Sequence, residues 1–324
     1  MTNQNTSEAA ALAHKAARSG VAFRHRHEQG VLRVTGADRR AWLNGLLTND
    51  VLTETSCYAA WLTPQGRMIT DMFVVDTGAG TLLEVPAVLA GELARRLDGL
   101  IFAEDVRVAD VSADVLALEL CGPGTGFGLD SVRHSLPADL RVSLRAVSLP
   151  APGAVVYVPA QQFAGALEAL THAGATPLDD ETAEILRVEA GVPRFLVDMN
   201  EDTIPLEAGL DRAISHTKGC YVGQEIIVRI RDRAHGRVAR QLVGLRLDGA
   251  DVPEVPQAVL SDGRQVGRMT SAVRSVALDA VIALATVHRD FSAAGTSLMP
   301  ETGDTAAVVV PLPFVAPAPD APGS

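Results

Sequence analysis

Beyond residue 236 the chain changes character, and that change limits the folds open to it. Gln241 to Leu247, Gln257 to Leu260, Gln265 to Thr270 and Ala280 to Val287 are short apolar runs separated by Gly, Asp and Pro. Asp262-Gly263 has the composition of a tight hairpin turn. Several short strands at this spacing predict a small antiparallel barrel or sandwich, since an isolated hairpin buries too little apolar surface to be stable. A chain of 324 residues is too long for one ordinary core, so this unit follows one or two others.

The preceding two thirds mix strand and helix periodicities, which makes the whole an α+β chain. Val21 to Val34 reads as strand. Trp42, Leu43, Leu46 and Leu47 form one helix face behind an Asp38 N-cap, with Asn49 as a left-handed residue closing it. Ala59 to Leu62 and Met68 to Val75 flank the turn Thr63-Pro64-Gln65-Gly66, the pattern of a hairpin. Asp71 interrupts the second run, and a carboxylate there faces either solvent or a site; alternation alone favours solvent. Helices are predicted over 87–97, 161–173 and 180–190, and strands over 82–85, 106–108, 115–120 and 155–158. Glycine-rich 121–128 lacks the Lys-Ser/Thr of a phosphate loop and reads as a plain loop. The first twenty residues, of which Ala10, Leu12 and Ala13 could dock, and the Pro-rich end, 313–324, are expected to be mobile.

Composition removes several function classes. A formal net charge of −11 argues against broad nucleic-acid binding while leaving room for a local basic pocket. No run is long and apolar enough to span a bilayer, and there is no apolar leader. Cys57, Cys121 and Cys220 are scattered, without the spacing of a zinc site or a disulfide framework, so a reduced cytoplasmic setting and no metal are expected.

The most unusual stretch is Lys218-Gly219-Cys220-Tyr221-Val222-Gly223-Gln224-Glu225. It is too polar for a core strand and too rich in glycine for a helix interior. Val222, Ile226, Ile227 and Ile230 then predict a helix starting near Gly223. Lys218 and that helix N-terminus would together favour the Cys220 thiolate; the alternative is a small packing residue. His216 alone does not make a Cys/His nucleophile pair. Upstream, Glu189 and Glu207 lie beside glycine or proline breaks, where a carboxylate can accept paired N–H donors from a flat heterocycle such as a pterin. Each taken singly reads more commonly as a helix-terminal or surface glutamate. Arg229 belongs to a basic set with Arg187, Lys218, Arg231 and Arg233 that suits either an anionic ligand end or a solvated face.

The eight-residue stretch resembles the signature of the YgfZ-type folate-binding proteins, relatives of the glycine-cleavage T protein (aminomethyltransferase). Trp42 to Val51, Gly66 to Val74, Arg187 to Leu210 and Val266 to Val287 resemble that family in the same order. The resemblance implies a three-lobed ring: two α/β lobes and a C-terminal antiparallel β-barrel around a central folate cavity. The lobes would comprise 21–55 with 148–235, then 56–147, then a barrel over 236–312, the first rejoining near Ser148. It implies tetrahydrofolate or a derivative as cofactor, Glu207 on the pterin ring and Glu189 in or beside the cavity. Lys218, Tyr221, Gln224 and Arg229 would line the site, with Cys220 and Asp71 as its reactive groups. The function implied is that of a monomeric folate-binding accessory protein. It would support assembly or repair of iron–sulfur client enzymes and, indirectly, tRNA modification, without direct contact to nucleic acid or membrane. The alternative is a folate-dependent aminomethyl- or methyl-transferase. Two departures from the T protein favour the accessory branch: Thr70 precedes Asp71 where the T protein has a second aspartate, and Tyr221-Val222-Gly223-Gln224 follows a cysteine the T protein lacks.

Overall fold

A computed structural model describes residues 2–135, 143–147, 153–233, 237–249, 251–302 and 305–317. Seven α-helices and sixteen strands occur among them. One sheet has the order β3-β4-β5-β2-β6, built from β2 (Gln29–Thr35), β3 (Ser56–Leu62), β4 (Met68–Asp76), β5 (Thr81–Pro86) and β6 (Arg107–Asp110). A second has the order β10-β1-β7-β9-β8, from β1 (Ala22–His25), β7 (Val115–Cys121), β8 (Ser143–Val147), β9 (Gly153–Pro159) and β10 (Thr176–Pro177). The single strand-like run over 21–34 is therefore two strands that part company at the turn Arg26–Glu28 and enter different sheets. Sheet membership also crosses the lobe limits drawn from the resemblance: β2 pairs with β5 and β6, while β7 and β8 pair with β9. The rejoining point near Ser148 and the barrel boundary at Gly236 lie outside the described residues.

The last third closes as expected. Strands β11 (Arg240–Leu247), β12 (Gln257–Ser261), β13 (Arg264–Ser275), β14 (Ala280–His288), β15 (Ser297–Pro300) and β16 (Ala307–Val310) form a closed barrel. Pairing of β11 with β16 removes the open edge. Its interior holds Val243, Leu245, Val259, Met269, Ala283, Ala285 and Val287, the alternate residues of each strand. Asp262 and Gly263 both adopt positive φ at the predicted hairpin turn.

Helices α1 (Thr2–Ser19), α2 (Arg39–Leu46), α3 (Ala90–Asp98), α4 (Thr125–Ser135), α5 (Phe163–His172), α6 (Asp180–Glu189) and α7 (Gln224–Arg233) cover the sheets and the loops. Three local expectations change. Helix α4 begins inside the glycine-rich stretch, where Thr125 Oγ1 donates to Gly122 O; a side chain at Gly122 would meet Gly20 O at 2.4 Å, so glycine is needed there for chain crossing. Asn49 is not left-handed; its amide donates to Tyr58 O and Arg212 O. Asp38 sits at the N-cap of α2, yet its carboxylate accepts from Asp105 N.

Among the described residues, part of each end segment expected to be mobile is docked. Ala13, His14 and Ala17 of α1 are buried, and Leu312 and Phe314 pack against Val188, Ile282 and Leu284. Both docking sites meet at α6, because Glu189 is fully buried there. Its carboxylate accepts from Ser275 Oγ at 2.6 Å and Ala277 N at 3.1 Å and pairs with His14 Nε2 at 2.8 Å, while its backbone O accepts from Val315 N. Burial by itself would raise this carboxyl, but the bonds from His14, Ser275 and Ala277 outweigh it and hold it below the ordinary glutamate value. A depressed folded pKa contributes stability above the unfolded value, lost as pH falls through the folded one. Glu189→Gln should therefore lose about 1–3 kcal/mol at neutral pH and flatten the decline in stability below about pH 4.3. Urea melts from pH 3 to 7 of both proteins measure this, and parallel pH profiles would refute it.

Candidate functional site

Asp71 is placed by strand alternation. On β4, Thr70 and Met72 are buried beneath the sheet, while Asp71 and Phe73 share the other face. That face lines a cavity of about 660 Å³. Tyr58 on β3 is the diagonal neighbour of Asp71, and its hydroxyl donates to Asp71 Oδ2 at 2.5 Å. Its ring stacks on Phe73 at 4.6 Å, and the Arg212 guanidinium lies 5.1 Å from the ring centroid. Burial pushes the Asp71 carboxyl above its ordinary value; the Tyr58 hydrogen bond only partly offsets this, and Glu84 adds to the rise.

The second sheet supplies the opposite wall. Arg24 on β1 faces Glu119 on β7 in register, with Nε to Oε2 at 2.8 Å, and also binds Glu28. Arg26 contacts Glu84 of the first sheet at 2.9 Å, and Tyr157 of β9 donates to Glu84 Oε2 at 2.5 Å. One buried carboxylate thus joins the two sheets behind the cavity. Helix α6 closes a third side through Arg187, which donates to Glu184, Val192 O, Asp198 and Ser271. Phe195, Leu196 and Val197 supply an apolar lip. A polarised carboxyl beside cations and aromatic surface can exchange a proton with a flat polar ligand.

The signature stretch lies elsewhere and acts as a clip. Lys218 Nζ donates to Asn44 O, Leu47 O and Asn49 O at 2.6, 2.7 and 2.9 Å, capping the carbonyl end of α2. Burial lowers Lys218 to about 8, opposed by Asp50 and by Cys57. Its charge therefore acts on Cys57, itself pushed up to about 12 by burial, while Cys220 is exposed. Tyr221 is buried among Leu62, Met68 and Ile227, under the Lys218 ammonium at 5.2 Å. Gly223 has φ +84°, and a Cβ there would meet Thr63 O at 2.5 Å; Gly66 likewise leaves room for Ile226. Gln224 starts α7 as expected, accepting from Tyr221 N at 3.4 Å, and Arg229 is exposed on that helix.

The sequence-selected residues therefore separate into four places. Asp71 lines the cavity described above, and none of Cys220, Lys218, Tyr221, Gln224, Arg229, Glu189 or Glu207 does. Glu189 is committed to His14 and Ser275, as described. Glu207 accepts from Ile204 N in a short 3-10 turn, approaches Arg240 at 3.6 Å, and lines two other cavities against the barrel. Cavity residues that sequence reasoning passed over include Tyr58, Arg26 and Glu84, with Tyr157 behind them on Glu84. Glu84 carried a usable signal: like Asp71, it is a lone carboxylate inside an apolar strand.

Comparison with known proteins fits this geometry. The GCVT N-terminal domain profile matches residues 2–140, and the glycine cleavage T-protein C-terminal barrel domain profile matches residues 240–316. The chain belongs to the glycine-cleavage T-protein family. It is 27% identical over 329 residues to an aminomethyltransferase from a Synechococcus species, covering 93% of this chain and 89% of that one. It is 28% identical over 327 residues to an aminomethyltransferase from Geobacillus kaustophilus, with the same coverage. The crystal structure of glycine cleavage system aminomethyltransferase T from Bartonella henselae superposes with a TM-score of 0.83 at 19% identity. That match covers 94% of this chain and 89% of that chain, and it establishes a shared fold. The T-protein fold accounts for the two sheets that flank the Asp71 cavity and for the barrel beyond them. Among the described residues no helix is long and apolar enough to cross a membrane.

Two outcomes follow. The raised Asp71 carboxyl binds its proton more tightly in the folded than in the unfolded chain, so its contribution is present below the unfolded pKa and lost as pH rises through the folded one. Asp71→Asn should accordingly be as stable as the parent or more so at pH 7, by urea denaturation, whereas a marked loss would mean the ionised form is favoured. Gly223→Ala should cost about 1–3 kcal/mol through positive φ and the Thr63 clash, and an unchanged melting temperature would show the clip to be dispensable.

Proposed function

We propose that the chain binds tetrahydrofolate or a derivative in the Asp71 cavity and transfers a one-carbon group, as a T-protein-type transferase. The observation that carries this reading is the Asp71–Tyr58 pair, a carboxyl of raised pKa facing a cavity. The cavity suits a flat amphipathic ring. Phe73, Pro86, Phe195 and Leu196 offer apolar surface, and Arg26, Glu84 and Glu119 offer hydrogen-bonding groups. Its volume lies within the range of small-molecule sites. The aminomethyltransferase name of relatives covering nine-tenths of the chain supports the transferase class.

Bound tetrahydrofolate would supply the nitrogen nucleophile that accepts the one-carbon unit. The chain's residues do the rest. Tyr58 fixes the Asp71 rotamer, and Asp71 holds or releases a proton at Oδ1, the oxygen to which Tyr58 does not donate. The Arg26–Glu84–Tyr157 group keeps the wall rigid, and the 195–197 lip excludes water.

Titration with tetrahydrofolate and a single-turnover assay with an aminomethyl donor test this together. Asp71→Asn should bind folate within about threefold of the parent but lose about 10²–10⁴ in transfer rate, the scale of a general acid or base. Absence of folate binding by the parent would overturn the proposal.

One observation favours a second reading. Cys220 is exposed on a loop held by Lys218 and Gly223, where a thiol would be presented outward. In that reading the folate-loaded chain is a YgfZ-type accessory that supports iron–sulfur enzymes. Folate binding without turnover, together with loss of iron–sulfur enzyme activity in cells carrying only Cys220→Ser, would select it.

A further inference from the structure

Among the described residues, Arg212 is the one cation lining the Asp71 cavity that has no carboxylate partner. Arg24 and Arg26 are both held by Glu119, with Glu84 also on Arg26. Arg187 and Arg194 share Glu184, and His27 pairs with Asp180. The Arg212 guanidinium lies instead 5.1 Å from the centroid of the Tyr58 ring. Tyr58 in turn donates to Asp71 Oδ2 at 2.5 Å. Cation, ring and carboxyl thus form one chain of contacts.

The side chain of Arg212 is exposed, but its backbone is tethered. The short 3-10 turn Asp211–Ala213 that carries it is joined to β3 by two consecutive side chains. Thr48, fully buried, accepts from Ala60 N at 2.8 Å and donates to Ala213 O at 2.6 Å. The Asn49 amide donates to Tyr58 O at 2.8 Å and to Arg212 O at 3.1 Å. A single amide nitrogen therefore grips the backbone of both members of the Arg212–Tyr58 pair. Asn49 is itself fixed, by Asp50 N on its side-chain oxygen and by the Lys218 ammonium on its carbonyl. An arginine held only by solvation calls for none of these bonds, whereas a cation that must stay over one ring does.

We infer that Arg212 is a positioning residue for the proton on Asp71, acting through Tyr58, with Thr48 and Asn49 holding it over the ring. The inference deepens the transferase reading above and rests on it for the part played in turnover. A cation over an aromatic face is attracted by the π electrons, and more strongly as the phenol oxygen gains negative charge, so it makes the O–H a better donor. A stronger donor at Oδ2 favours the ionised carboxylate. Arg212 thereby opposes the rise that burial imposes on Asp71, so that the carboxyl can release its proton as well as hold it. The other charges that act on the carboxyl, Glu84 raising and Arg26 lowering, are locked to each other between the sheets and stay in place when Arg212 is changed.

The test is an NMR titration of the isotope-labelled Asp71 carboxyl in the intact chain without ligand, its resonance identified by its loss in Asp71→Asn. In Arg212→Gln, shown folded by its melting temperature, the midpoint should rise by about half a pH unit, the scale of an exposed cation–π contact. Arg212→Lys keeps a charge over the ring and should recover most of that shift. The pH profile of single-turnover transfer to tetrahydrofolate should move with the midpoint in both variants. An unmoved midpoint in Arg212→Gln overturns the inference and leaves the folate site standing; a fall in folate or donor affinity in its place would make Arg212 a ligand contact. A rise in Arg212→Lys as large as in Arg212→Gln overturns charge as the cause. A midpoint that moves while the rate profile does not overturns the role in transfer. Failure of the parent to bind tetrahydrofolate overturns the folate reading and that role with it, while the titration, made without ligand, still decides the link from Arg212 to Asp71.

Discussion

The structure depends on a buried polar seam between α6 and the barrel strand β13. Arg187 and Glu189 are two residues apart on the helix and address different partners. Arg187 reaches Ser271 and, with it, Asp198, while Glu189 takes Ser275 and His14. Ser271 and Ser275 lie four apart on β13, both buried. Charges taken out of water are tolerable only when every partner is present, so this seam admits one placement of the barrel. The same Arg187 forms one side of the Asp71 cavity. Barrel placement and cavity shape are thus one constraint, and the docked N-terminal helix and C-terminal segment share it through Glu189.

The signature stretch takes on a different meaning in this setting. Its residue types suggested a reactive pocket, but most of them serve attachment. Lys218 replaces the missing hydrogen bonds at the end of α2, Tyr221 fills the core beneath, and Gly223 lets the chain cross the β3–β4 turn. The clip fixes the hairpin that carries Tyr58 and Asp71, so it bears on the cavity from a distance. Cys220 faces outward, as do Gly219, Val222 and Glu225.

The fold was legible because its signals are periodic: alternation over 241–287 foretold the barrel, and the helix faces of α2, α6 and α7 stood out. The site was legible only in part. Asp71 could be picked out as a carboxylate in an apolar strand, but its partner Tyr58 depends on hairpin register, and Glu84 depends on two sheets meeting. Glu189 and Glu207 looked alike in sequence, each beside a chain break. Only the three-dimensional neighbours distinguish a seam residue bound to His14 from a turn residue near Arg240. The opposed memberships of β1 and β2 were illegible for the same reason, since a turn at 26–28 does not record which sheet each strand joins.

The central claim, that Asp71 faces the ligand ring, is open to direct observation. A crystal structure with bound 5-formyltetrahydrofolate should place the pterin between the two sheets, with a ring nitrogen or its substituent within hydrogen-bond reach of Asp71. Pterin density beside Cys220, or against the barrel with the Asp71 cavity filled by solvent, would contradict the account.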